Sequence, residues 1–228
     1  MKEKRKNLSI ILNFLIAVTA TFAVALALIT AKENGYSHWT KRLLYFTQQS
    51  NVWIGVTCLI FGILLLIEKK KGKPMHNWLY LFKYVFTVSI TITGIIFCSL
   101  LAPFAEENIW YFSSVLTHVV VPFLSVVDFF LLEKMPLKRW HTFISLIPPL
   151  FYFVLTTVLS AMNVDFGKGE TFPYFFMNIN SAVGLFGFRT TDTYPELGTF
   201  YWILVITLLI YGLAWAYYRL HPAVKNKK

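Results

Sequence analysis

Six long apolar stretches constrain the fold of this chain more than any other feature. An α-helix rises 1.5 Å per residue, so about 20 apolar residues cross the roughly 30 Å hydrocarbon core of a bilayer. The chain is 57% hydrophobic and only 14% charged, whereas soluble domains carry about 25% charged residues. The sequence therefore predicts a polytopic all-α membrane protein, a single domain over residues 1–228 with six transmembrane helices. We place them at about 8–31, 43–67, 79–103, 111–133, 142–162 and 198–219.

The positive charges predict the orientation of these helices. A net charge of +10 in a soluble protein would suggest a nucleic-acid partner, but here most lysines and arginines flank alternate apolar stretches, so we expect none. They cluster at residues 2–6, 69–73, 134–139 and 219–228. Cytoplasmic loops are enriched in such residues, which predicts that both termini are cytoplasmic. The N-terminus resembles a signal peptide, but its apolar run to about residue 31 is too long, which favours a retained first helix.

Two polar features interrupt the apolar stretches. Thr47-Gln-Gln-Ser-Asn51 opens the second predicted helix, and His118 is the only histidine inside a predicted span. Both helices run from the outer to the inner side, with Thr47 roughly 6 Å and His118 roughly 10 Å below the outer boundary at 1.5 Å per residue. Polar side chains in a membrane face a partner or a cavity, so we expect these two to meet. The simpler alternatives are interfacial polarity at a helix start and a single interhelical hydrogen bond.

A threonine beside a histidine supports nucleophilic acyl transfer. The imidazole would take the proton of the Thr47 hydroxyl and return it to the leaving alcohol. The amides of Gln48 and Asn51 are candidate donors to the oxyanion. Asp128 lies ten residues beyond His118, about 15 Å deeper, so Ser114 or a backbone carbonyl is expected to orient the ring instead.

The remaining chemistry-bearing residues have structural interpretations. Lys83 and Asp128 lie at matching depth near the inner side, which predicts an intramembrane ion pair; the alternative is that Lys83 extends to the headgroups. Cys58 and Cys98 both fall in apolar segments and are expected to be buried thiols without a disulfide. The sequence has no metal-ligand spacing and no phosphate-binding loop, so we expect neither metal nor cofactor.

The loop between the fifth and sixth helices is too apolar for a solvated connection. It contains the segments 171–181 and 184–188, which are rich in phenylalanine. Such a segment is typical of a re-entrant or interfacial element. It would either cover a pocket beneath the outer surface or pack on the bundle.

Three of these segments carry a family resemblance. Tyr45-Phe-Thr-Gln-Gln-Ser-Asn51, Thr117-His-Val-Val-Val-Pro-Phe123 followed by Asp128, and Phe172-Pro-Tyr-Phe175 resemble the six-helix Pr6Pr-type membrane proteins. These are related to the androgen-induced-gene-1 and FAR-17a group, whose animal members are intramembrane threonine hydrolases of hydroxy-fatty-acid esters. The resemblance implies that Thr47 is the nucleophile and His118 the base. The amide-rich run after Thr47 is closer to that of prokaryotic members.

Together these observations predict an intramembrane hydrolase of lipid or fatty-acyl esters. The alternatives are a non-catalytic lipid-binding or lipid-transport protein, favoured by the missing third member of a triad, and a small acyltransferase. The expected partners are membrane lipids and a lipid-like ester. The expected location is a bacterial plasma membrane. The sequence predicts no particular oligomeric state.

Overall fold

A computed structural model describes residues 2–105, 108–132, 134–190 and 195–225. Within them, six helices are long and apolar enough to cross a membrane, which confirms the all-α, six-span prediction. Residue 133, the end of the predicted fourth span, and the last three residues of the chain lie outside this description. The spanning helices are α1 (Lys2–Ile29), α2 (Phe46–Lys71), α3 (Asn77–Leu101), α4 (Phe112–Leu131), α5 (His141–Ala161) and α6 (Thr199–Leu220).

Three of these helices are irregular. The end of α3, Phe97–Leu101, and the middle of α4, Leu116–Val120, are π-helical. The second π-helical turn precedes Pro122, whose missing N–H cannot complete an α-helical hydrogen bond to the carbonyl of residue 118. In α5, a short turn separates His141–Ile144 from Ile147–Ala161. Pro148 and Pro149 lie in the first turn of the second part, where the missing N–H groups of proline are tolerated.

Short elements complete the chain. A 3₁₀ helix, Trp39–Leu44, leads into α2, and another, Phe175–Met177, lies in the long loop between α5 and α6. We call this loop, and the end of the bundle where α2 begins, outer after the orientation that the sequence predicts. Two three-residue strands, β1 (Phe188–Thr190) and β2 (Pro195–Leu197), pair antiparallel with Arg189 opposite Glu196. A final turn, α7 (Pro222–Lys225), follows α6.

Helices α1 to α4 form the centre of the bundle. In each of these four helices, between 44% and 56% of the apolar 18-residue stretch is buried inside the protein, against 22% for α5 and 17% for α6. Small residues let the central helices approach closely, as is common in membranes. A Cβ on Gly55 of α2 would lie 3.2 Å from the Cβ of Ala20 in α1. Helices α5 and α6 therefore flank a four-helix centre.

The predicted ion pair lies inside this centre. Lys83 Nζ is 2.8 Å from Asp128 Oδ2, and both side chains are fully buried. Asp128 also accepts hydrogen bonds from Ser9 Oγ at 2.5 Å and Asn13 Nδ2 at 2.8 Å. Lys83 donates to Asn13 Oδ1 at 2.9 Å and lies 2.8 Å from Cys58 Sγ. The pair thus ties α1, α2, α3 and α4 together, and Lys83 does not extend to the headgroups.

The two cysteines differ in their surroundings. Cys58 is fully buried beside Lys83, but Cys98 is exposed, and both are free thiols. The expectation of two buried thiols is therefore wrong for Cys98. It lies in the π-helical end of α3.

The outer loop is fastened to the segment between α1 and α2. Asp165 accepts hydrogen bonds from the backbone N–H groups of Gly167 and Gly169 and from Ser37 Oγ. These bonds stabilise the carboxylate and lower the pKa of Asp165 below its usual value. Next to it, Phe166 is fully buried and packs edge-to-face against Tyr45. This attachment holds the following residues, 171–177, over the outer end of the bundle.

Candidate functional site

Thr47 and His118 lie in direct contact near the outer end of the bundle. Thr47 Oγ1 is 3.1 Å from His118 Nε2. Thr47 is the second residue of α2, and His118 is in the π-helical turn of α4. Thr47 is 7% exposed. The contact between Thr47 and His118 that the sequence predicts is therefore present in the folded chain.

The hydrogen bond at the other ring nitrogen of His118, Nδ1, determines the tautomer of the imidazole. Nδ1 is 2.9 Å from the backbone carbonyl oxygen of Ser114. A carbonyl only accepts hydrogen bonds, so Nδ1 must hold the proton in the neutral imidazole. Nε2 then presents a lone pair, and the hydroxyl of Thr47 donates to it. This is the tautomer that a general base for Thr47 requires.

Packing fixes the plane of the imidazole. Phe97, at the start of the π-helical end of α3, stacks on the ring with centroids 3.7 Å apart and planes inclined by 14°. Gly94, one turn earlier, allows this approach because a Cβ there would lie 2.6 Å from the carbonyl oxygen of His118. The two π-helical segments thus meet face to face at the histidine. Single π-helical turns inside α-helices occur frequently at functional sites.

The side-chain amide of Asn51 hydrogen-bonds to two backbone carbonyls. Its Nδ2 donates to the carbonyl oxygens of Thr47 at 2.8 Å and of Thr117 at 3.2 Å. Both amide hydrogens are therefore used by backbone acceptors in this structure, which leaves neither of them free for an oxyanion. Asn51 instead links the turn that carries Thr47 to the turn that carries His118.

Gln48 and Ser114 both lie beside His118. Gln48 is buried and lines the cavity there, and among the described residues its Oε1 has no hydrogen-bond partner. The Ser114 side chain lines the same cavity. However, the backbone carbonyl of Ser114, and not its hydroxyl, orients the imidazole, which is the second of the two options that the sequence left open.

Tyr174 is the site residue that sequence reasoning did not single out. Its hydroxyl oxygen is 3.5 Å from Thr47 Oγ1. The ring is stacked on Phe176, with centroids 5.2 Å apart, and meets Tyr45 edge-on at 5.6 Å. Burial raises the pKa of Tyr174, which keeps the hydroxyl protonated. The signals in the sequence were the apolar character of the outer loop and the position of Tyr174 in Phe172-Pro-Tyr-Phe175, one of the segments that carry the family resemblance.

Two cavities adjoin Thr47. The first, which we call the vestibule, has a volume of about 360 Å³ and lies on the outer side, between the α1–α2 segment, the ends of α3 and α4, and the outer loop. It contains His118 and Gln48. Its charged residues, among those that the structure describes, are Arg42 and Lys168. Both cations lie over the ring of Tyr36, at 4.7 Å and 5.5 Å from its centroid.

The second cavity, which we call the apolar cavity, extends from Thr47 toward the inner side. It has a volume of about 100 Å³ and lies between α2, α3, α5, α6 and the outer loop. Isoleucine, leucine and phenylalanine side chains form most of its wall, and Thr47, Leu101 and Tyr174 border both cavities. Thr47 is therefore at the boundary between a polar and an apolar compartment.

Comparison with known proteins finds no family model, curated protein or solved structure that matches this chain. The resemblance to the Pr6Pr-type proteins thus rests on the three sequence segments alone. Among the described residues, no group of three histidine, cysteine or acidic side chains could hold a metal ion. The chemistry of the site must accordingly be argued from Thr47, His118, Tyr174 and their surroundings.

Proposed function

We propose that this protein is an intramembrane hydrolase of lipid or fatty-acyl esters, with Thr47 as nucleophile and His118 as general base. The observation that carries the proposal is the 3.1 Å contact between Thr47 Oγ1 and His118 Nε2, with Nδ1 bonded to the Ser114 carbonyl. The nucleophile, base and orienting acceptor are the three parts of an activated hydroxyl. Here a backbone carbonyl takes the place of the carboxylate of a triad.

The reaction divides into acylation and deacylation. His118 Nε2 takes the Thr47 proton while Oγ1 forms a bond to the ester carbonyl carbon. The tetrahedral intermediate collapses by breaking the bond to the alcohol oxygen, which receives the proton from His118. Water then loses a proton to His118 and attacks the acyl-threonine. The acid leaves, and the proton returns to Thr47.

The oxyanion of both intermediates has two donors near Thr47. The hydroxyl of Tyr174 and the side-chain amide of Gln48 both lie beside Thr47 at the N-terminus of α2. The positive end of the helix dipole adds to their effect. Preorganised donors of this kind contribute more in a site that excludes water.

The same observations favour a second candidate function. An apolar cavity of about 100 Å³ that opens at a polar group also suits a lipid-binding protein. Among the described residues, no carboxylate hydrogen-bonds His118. A lipid-binding or lipid-transport protein would retain bound lipid when the hydroxyl of Thr47 is removed. An acyltransferase would share the acyl-threonine but transfer the acyl group to an alcohol or amine.

The orientation and location of the protein belong to the proposal as well. With both termini in the cytoplasm of a bacterial cell, Thr47 and His118 lie in the outer half of the plasma membrane. An ester substrate would then reach them from the outer leaflet. Water and the leaving alcohol would exchange through the vestibule.

The test is intact-protein mass spectrometry after treatment with a lipid-like fluorophosphonate. We expect one adduct on the wild-type protein and none on Thr47→Ala or His118→Ala. Thr207→Ala, which removes a threonine hydroxyl from the wall of the apolar cavity, is the matched control and should label like the wild type. An unlabelled but folded wild-type protein that co-purifies with lipid would support the lipid-binding function instead. Product analysis with an added alcohol distinguishes hydrolysis from acyl transfer.

A further inference from the structure

The two cavities at Thr47 differ in one respect that bears on the substrate. His118 lines the vestibule and not the apolar cavity. Thr47 and Tyr174 border both. The carbonyl carbon of an ester at Thr47 carries two groups, the acyl chain and the oxygen of the alcohol. Each of the two cavities can therefore receive one of the two substituents.

Proton transfer determines which substituent enters which cavity. The alcohol oxygen leaves as an alkoxide unless it receives the proton that His118 Nε2 took from Thr47. The transfer requires hydrogen-bond distance between Nε2 and that oxygen. The leaving oxygen must accordingly lie on the vestibule side of the carbonyl. The acyl chain is then directed to the opposite side, into the apolar cavity.

We infer that the apolar cavity is the acyl-chain pocket, and that the alcohol part of the ester occupies the vestibule. This inference rests on the proposed hydrolase function. It identifies the substrate as an ester whose acyl side is an aliphatic chain and whose alcohol side tolerates polar surroundings. It also implies that the alcohol leaves, and water enters, through the vestibule while the chain stays in place.

The cavity walls support an extended aliphatic ligand. Along α6 the wall runs from Ile203 through Ile206 to Ile210, and along α5 from Leu146 to Phe153. Seven residues of helix correspond to about 10 Å of length in each case. Ile210 is 2% exposed and packs into the core at the inner end. Each methylene buried in such a pocket should raise kcat/KM roughly fourfold until the pocket is full.

The experiment compares two esters that carry their long chain on opposite sides, methyl octanoate and octyl acetate. Ile206→Trp fills the apolar cavity from α6. Its matched control is Val205→Trp, at a neighbouring residue that is 51% exposed and does not line the cavity. We expect Ile206→Trp to lower kcat/KM for methyl octanoate by tenfold or more and to leave octyl acetate within twofold. Val205→Trp should leave both unchanged.

The opposite selectivity, with octyl acetate impaired and methyl octanoate spared, would overturn the assignment. Equal effects on both esters in a folded variant would also overturn it. If Ile206→Trp does not fold, Ile203→Phe fills the outer part of the same wall with a smaller side chain and should give the same selective loss. An unreactive Thr47 in the fluorophosphonate test refutes the proposed function, and the pocket assignment with it. A reactive Thr47 with the wrong ester selectivity refutes the pocket assignment alone.

Discussion

Removing the hydroxyl of Tyr174 tests how this site stabilises the reaction. Tyr174→Phe keeps the ring, which Phe176 and Tyr45 hold on two sides, and removes only the oxygen 3.5 Å from Thr47 Oγ1. The contact between Thr47 and His118 does not depend on this hydroxyl. We therefore expect the variant to bind substrate normally and to be slow in the chemical step.

The size of the effect follows from the role of the hydroxyl. Loss of one oxyanion donor lowers kcat by about 10²–10³, or roughly 2.7–4 kcal/mol. The side-chain amide of Gln48 beside His118 stays in place as a second candidate donor, which puts the expected loss near the lower limit, about 10². If Tyr174 only bonded to the resting Thr47, the loss would be that of an ordinary hydrogen bond, roughly 0.5–1.5 kcal/mol, or about tenfold or less.

The assay is steady-state hydrolysis of a short-chain nitrophenyl ester by the purified protein in detergent micelles. The expected result is a kcat about 10² lower with KM within a few-fold of wild type. The shape of the pH profile should stay the same, because the raised pKa of Tyr174 keeps its hydroxyl protonated throughout. Tyr201→Phe, at an exposed tyrosine near the outer end of α6, is the control. A loss below tenfold, or one confined to KM, would refute the oxyanion role.

Two further predictions concern the scaffold around the site. Lys83→Met alone should lower the free energy of unfolding by about 3–5 kcal/mol, because it leaves the Asp128 carboxylate buried without its cation. The double variant Lys83→Met/Asp128→Leu should recover most of this loss, as measured by thermal unfolding. Additive losses from the two substitutions would contradict the prediction. Gly94→Ala places a Cβ 2.6 Å from the His118 carbonyl oxygen, so the helices must separate there and kcat should fall tenfold or more. The control is Gly212→Ala, where a Cβ meets none of the described residues within 4 Å, and it should be neutral. Equal activity of the two variants would refute the role of this close approach.

The sequence indicates the depth of the site because depth is a local property. Each helix advances 1.5 Å per residue, so counting from the apolar boundaries places Thr47 and His118 at similar heights. The same counting pairs Lys83 with Asp128, whose atoms are 2.8 Å apart in the folded chain. For these residues, the period of the helix and the cost of an unpaired polar group in lipid were enough.

The donors at the site depend on geometry that counting does not give. Asn51 and Tyr174 both carry hydrogen-bond donors near Thr47, and the sequence predicts Asn51, together with Gln48, as a donor to the oxyanion. In the structure, two backbone carbonyls use the hydrogens of Asn51. Tyr174 reaches Thr47 from a loop 127 positions along the chain. Tyr174 lies in an irregular loop, which has no helical period, so the sequence does not indicate where its hydroxyl points.

By itself, the sequence determined that this chain has six spanning helices, and it indicated the depth at which Thr47 and His118 lie. Those features follow from hydrophobic length and helical rise, which act along one helix at a time. Only the tertiary structure decided that the two side chains touch, which tautomer His118 adopts, and that a polar and an apolar cavity meet at Thr47. These depend on how neighbouring helices rotate and how closely they approach, as Gly94 beside His118 illustrates, and packing between segments distant in sequence sets both.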